Sequence, residues 1–163
     1  MDIDHLTSTR IPVNDDYASI VGKAVYVFAY YEWIIICIID ALNKGFVNEY
    51  SRPTKKAYTS GSVKRKLRNA IDTSTNLLSQ STLEDMEKCF EAFSDLIEKR
   101  NALIHAHPIT HLDNSQILAS QTKSSKAISD MIWPQSEVEK LISEIDNSAL
   151  LASEIFTNLN LKS

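Results

Sequence analysis

The residues whose types and spacing suit chemistry are Arg100, Asn101 and His105, in the run Lys99-Arg100-Asn101-Ala102-Leu103-Ile104-His105 that closes a long helical pattern before Pro108. Upstream, Met86, Phe90, Phe93 and Ile97, with Ile104 beyond, recur at the three- and four-residue steps of a buried helix face. At about 100° per residue, the centre of that stripe passes within roughly 40° of Arg100. An arginine therefore stands where an apolar residue belongs. Asn101 flanks it, His105 stacks one turn above Asn101, and the three share an arc of about 140°. A guanidinium buried there is costly unless it is paired or its pocket admits a ligand, so either a carboxylate or an anion meets Arg100.

Such a helix end needs a scaffold, and composition bounds it. With 163 residues, 44% of them apolar and 23% charged, the chain has the makeup of one ordinary domain with a sizeable core. A net charge of −4 argues against a wholesale nucleic-acid coat protein. Three glycines, four prolines and little two-residue alternation favour an all-α fold. Cys37 and Cys89 sit in apolar helical patterns without metal-motif spacing and read as buried free thiols, which suits a reducing compartment. The N-terminal residues carry acids and no apolar signal-peptide core, and the expectation is a cytoplasmic protein.

Residues 1–13 read as a flexible lead-in and 14–159 as a single helical domain. Asn14 or Asp15 caps a first helix from Tyr17 to about Asn43 that is apolar on nearly its whole circumference. Glu32 and Asp40 interrupt it, leaving apolar pieces well short of the ~20 residues a bilayer needs, so we expect no membrane but a central helix of a bundle or one shared with a dimer interface. Glu32 is the best-placed carboxylate for Arg100, provided the two helices run antiparallel. Lys44-Gly45 ends the helix and a loop follows. A second helix starts near Ser60 or Ser62 and runs to about Leu78, with Val63, Leu67, Ile71 and Leu78 inward. Ser81 and Glu84 form a capping box for the third, which reaches about Ala106. Segments 116–122 and 127–133 pattern as a short β-hairpin. Pro134, Ser136 and Glu139 open a last helix that ends near Asn158, with Val138, Leu141, Ile142, Ile145, Leu150, Leu151 and Ile155 inward. The expected architecture is an antiparallel bundle of four long helices.

Between Glu49 and Asp72 there is no acid, while Arg52, Lys55, Lys56, Lys64, Arg65, Lys66 and Arg68 supply seven of the seventeen Lys and Arg. One reading is a track for a phosphate backbone, favoured for Lys55 and Lys56. The other is charge pairing with the acidic stripe Glu84, Glu87, Glu91, Asp95 and Glu98 on the third helix, favoured for Lys64, Arg65, Lys66 and Arg68.

Arg100, Asn101 and His105 match the arginine, polar residue, three residues, histidine pattern of HEPN domains (higher eukaryotes and prokaryotes nucleotide-binding). The chain resembles that family over roughly residues 15–158, including a long first helix with a glutamate, a motif near the end of a later helix and a further C-terminal helix. Arg68-Asn69-Ala70-Ile71-Asp72-Thr73 opens identically but ends in threonine. The resemblance implies a metal-independent endoribonuclease without cofactors, active as a homodimer whose two motifs meet in one cleft, in a toxin or phage-defence setting with an antitoxin or regulatory protein. It makes His105 the general base or acid around the 2′-hydroxyl and the leaving oxygen, Arg100 the stabiliser of phosphoryl charge, and Asn101 the residue that orients either. Toxins silenced by a nucleotidyltransferase often carry tyrosine two residues after the histidine; here His107 stands there. Two rivals remain open: a zinc site of His105, His107 and His111 with Asp113, and a non-catalytic dimerisation or partner-binding module in which Arg100 and Glu32 form a structural ion pair.

Overall fold

The computed structural model describes residues 12–53, 57–120 and 132–161. Most of the expected lead-in, Lys55 and Lys56, and the connection of the expected hairpin lie outside them. The fold is mostly helical: α1 (Asp15–Leu42), α2 (Phe46–Ser51), α3 (Ser60–Thr73), α4 (Gln80–Ile104) and α5 (Gln135–Asn160), with strands β1 (His107–Thr110), β2 (Gln116–Ala119) and β3 (Ile132–Trp133) between α4 and α5.

Asn14 caps α1, its side chain accepting from the Tyr17 amide at 2.9 Å, and Asp15 and Asp16 complement the dipole in the first turn. By length and composition alone α1 would also suffice to cross a membrane. Here it is the central helix, with nine residues buried: Tyr17, Ala24, Phe28, Tyr31, Ile34, Ile35, Ile36, Ile38 and Ile39. Phe28, Tyr31 and Phe93 interlock at ring separations of 5.6 to 6.3 Å, joining α1 to α4. Cys89 is buried beside them, whereas Cys37 is only half-buried; both thiols are free.

Beyond Gly45, at φ 102°, the expected loop contains α2. Its N-terminus is satisfied from the preceding helix, because the Asp40 carboxylate accepts from the Gly45 and Val47 amides, each at 2.9 Å. The second expected helix stops five residues short of Leu78. Thr73 and Thr75 turn their hydroxyls back onto the carbonyls of Asn69 and Asp72, at 2.9 and 2.6 Å, which competes with continued helix. Ser79, rather than Ser81, caps α4 by accepting from Thr82, and α4 ends at Ile104 with His105 as its C-cap. Pro134 precedes α5 without a side-chain cap bond, and Leu150 faces solvent.

Arg68 on α3 meets Glu87 on α4, Lys99 on α4 meets Glu144 on α5, and Phe28 on α1 stacks on Phe93. Those pairings run α4 against its three neighbours. Residues Ala41 and Leu42 of α1 share one cavity wall with Asn158 and Leu159 of α5, while Tyr17 reaches Trp133 just ahead of α5. Helices α1 and α5 therefore run the same way, so the long helices do not all alternate in direction.

The three strands form an antiparallel sheet in the order β1-β2-β3. Leu118 opposite Trp133 and Ala119 opposite Ile132 realise part of the expected hairpin, while β1, carrying His107, adds a strand between the third long helix and that hairpin. This sheet braces the end of α4. Trp133 donates its indole N–H to Ser120 Oγ (2.6 Å), and Ser120 donates in turn to the Ala102 carbonyl (2.9 Å). Tyr17 ties the same sheet to α1, its hydroxyl donating to the Trp133 carbonyl and accepting from the Leu118 amide.

Candidate functional site

The C-terminal end of α4 carries Arg100 and Asn101, and the C-cap carries His105. All three line one open cleft of about 650 Å³. One wall is α1, through Val25, Phe28, Ala29 and Glu32; the opposite wall is Tyr58, Thr59, Ser60 and Gly61 at the start of α3. The arc expected from helix periodicity is therefore presented to a single space. Asn101 is half-buried and His105 exposed, and the side chain of neither makes a hydrogen bond among the described residues.

Arg100 is held on two sides. Its guanidinium lies over the Phe28 ring, with Cζ 4.5 Å from the centroid, and Nη2 donates to Ser60 Oγ. The Nε atom is buried without an acceptor. The expected partner, Glu32, lines the same cleft but makes no ion pair with Arg100. The bond to Ser60 ties the guanidinium to the opposite wall, while on the α1 side it rests on Phe28, one turn before Glu32. Glu32 keeps a buried Oε1 without any donor; burial, and after it the charge of Glu32, pushes the Tyr50 hydroxyl upward in pKa. One cleft thus holds a cation and a carboxylate, each with a buried atom unsatisfied, a situation that ordinarily has a cause.

The basic cluster divides. Arg68 forms a fork on Glu87, at 2.7 and 2.6 Å, and also meets Asp72, so charge pairing with the acidic stripe accounts for it. That fork holds the Glu87 carboxyl below the usual carboxylate range. Lys66 pairs with Glu49 at 3.3 Å, an acid outside the stripe, and Lys64 donates to Ser94 on α4 at 3.2 Å. Arg65 is exposed and unpaired among the described residues. Lys55 and Lys56 lie outside the described residues.

The histidines do not converge. His105 lines the cleft, His107 lies exposed in β1, and His111 lines a separate cavity beside the turn between β1 and β2, with Nδ1 3.2 Å from Asp113. Among the described residues no three or more His, Cys, Asp or Glu side chains stand together as a metal site.

Sequence reasoning missed Phe28, Tyr58 and Ser60. Phe28 carried the signal of any buried aromatic, and Ser60 that of a helix start; neither pattern names Arg100, which is 40 residues from Ser60 in the chain.

Comparison with protein-family models, with curated proteins and with solved structures finds no match.

Proposed function

We propose that this cleft cleaves RNA without a metal, the chain acting as a homodimer. The carrying observation is that Arg100, Asn101 and His105 line one cleft, the Asn101 and His105 side chains making no hydrogen bond among the described residues while Phe28 and Ser60 fix the guanidinium in place. A guanidinium oriented before the reaction stabilises charge on a phosphoryl group at little reorganisation cost. Histidine titrates near neutrality and suits proton transfer at the 2′-hydroxyl or the leaving oxygen. In this reading a 2′-hydroxyl loses its proton to one His105 and attacks phosphorus. The P–O5′ bond breaks, the departing oxygen takes a proton from His105 of a second copy, and a 2′,3′-cyclic phosphate and a 5′-hydroxyl remain. Asn101 orients the imidazole or the phosphate, and Glu32 supports the charge balance of the cleft.

Support for two copies comes from α1. Beside the cleft its outer face exposes Tyr26 (74%), Tyr30 (62%), Val25 and Trp33, an apolar row suited to a second copy of the same helix. The setting proposed is a cytoplasmic toxin or defence ribonuclease held in check by another protein, with no membrane and no cofactor. The same exposed row also favours a second reading, a non-catalytic dimerisation or partner-binding module.

The test is incubation of the purified chain with end-labelled tRNA, mRNA and single-stranded oligomers in excess EDTA. We expect cleavage leaving cyclic phosphate ends, reduced by about 10²–10⁴ in His105→Ala. No cleavage by a verified dimer across these substrates would transfer the assignment to the partner-binding module.

A further inference from the structure

The wall opposite α1 contains an aromatic side chain that the cleavage scheme leaves unused. Tyr58 lines the cleft two residues before Ser60, the acceptor of Arg100. Its ring is immobilised from behind. Phe46 meets it edge-on at 5.6 Å and 88°, and Tyr50 lies tilted at 5.6 Å. The Tyr58 hydroxyl donates to Glu49, which also accepts from Lys66. Trp33 extends this aromatic cluster, 6.3 Å from Tyr50. The short helix α2 supplies Phe46, Glu49 and Tyr50, so it backs the ring that forms this wall.

A fixed aromatic ring and an oriented guanidinium lining the same cleft match the two ends of a nucleotide. Two residues of extended chain hold the Tyr58 and Ser60 backbones at most about 7 Å apart, so the ring is rooted within about one nucleotide's length of the acceptor that holds Arg100. Stacking on an aromatic ring tolerates any base, because each has a π-face, and it requires a base that is not paired in a duplex. A ring already packed on its other sides loses little freedom when a base arrives.

From this we infer that Tyr58 is the floor of a nucleobase subsite, and that the cleft takes an unpaired nucleotide with its base on Tyr58 and its phosphate at Arg100. The identity of the ligand rests on the ribonucleic-acid reading above, but the stacking contact does not require catalysis.

The probe is a short, end-labelled 2′-O-methyl oligouridylate, which has no free 2′-hydroxyl to attack, set against the same backbone without bases. Binding to the full-length chain is followed by fluorescence anisotropy. Wild type should prefer the base-bearing oligomer by about tenfold; Tyr58→Leu should lose that preference and Tyr58→Phe should keep it within about twofold. Equal affinity of wild type for the two oligomers, no binding of either, or a Tyr58→Leu variant that retains the preference overturns the subsite. The wild-type comparison stands even where Tyr58→Leu fails to fold. Cleavage in EDTA reads out separately: its absence removes the ribonuclease while a base preference at Tyr58 survives, and the reverse pair of results removes only the subsite.

Discussion

The residue that most constrains this molecule is Arg100. A guanidinium carries five N–H donors, and among the described residues this one finds a single acceptor, Ser60, together with the face of Phe28. Deleting that acceptor should loosen the group rather than the fold, since Ser60 sits in the first turn of α3, whose cap is Thr59. Ser60→Ala is therefore expected to lower the cleavage rate by about tenfold at an unchanged melting temperature, with recovery in Ser60→Thr. Kinetic assay beside thermal melting checks it, and equal rates would show that Ser60 does not hold Arg100 for catalysis. Cys89 gives a prediction independent of function. Burial pushes its thiol up to about 12, so in the folded chain alkylation of Cys89 should stay negligible at mildly alkaline pH and become rapid on unfolding. Mass spectrometry of the alkylated peptide measures this directly, and rapid labelling of native protein would contradict the packing described around α4.

Among the elements, α4 has most to do, because it carries the motif at one end and the core at its middle. Phe93 is fully buried and packed on both Phe28, which supports Arg100, and Tyr31. Phe93→Ala should cost about 3–5 kcal/mol, measured by urea denaturation, and a loss below about 1 kcal/mol would mean that the site collapses easily around the gap. The Arg68–Glu87 fork is different in kind. Both side chains are partly exposed, so Glu87→Gln should cost only about 0.2–1 kcal/mol, less at high salt. In the turn between β1 and β2, hydrogen bonds from the Ser115 hydroxyl and amide hold the Asp113 carboxyl at about 2, below its ordinary 3.8. A carboxylate depressed on folding contributes stability that is present above its unfolded pKa and lost as pH falls through the folded one. The turn should thus weaken as pH drops from about 3.8 to about 2, and Asp113→Asn should flatten that small part of the melting profile.

At the scale of the whole molecule, the exposed row on α1 decides between one copy and two. Tyr26 and Tyr30 present large apolar surfaces to solvent beside the cleft. Tyr30→Asp is expected to shift sedimentation equilibrium from dimer to monomer and to abolish cleavage while the helical content by circular dichroism stays constant. A wild-type chain that sediments as a monomer at working concentrations would remove the two-histidine scheme, and a charged variant that remains dimeric would move the interface elsewhere.

Much of this architecture is written locally. Helix periodicity marked α1, α3, α4 and α5, the side chain of Asn14 announced the first of them, and the misfit of Arg100 on an apolar stripe singled out the site, because each of these signals lies within a few turns of chain. Where several hydroxyls compete, as at Thr73 to Thr75 and Ser79 to Thr82, the ends shifted, since each can bond the backbone. What closes the cleft is not local. Asp40 caps α2 across the chain turn, Ser120 ties the sheet to Ala102, and Ser60 rather than Glu32 meets Arg100. The sequence by itself determined where the four long helices lie, but not the short α2, and that a cation would lie against the core. Only the tertiary structure decided its partners, because they follow from which helix faces meet, and that is set by the packing of the whole apolar surface at once.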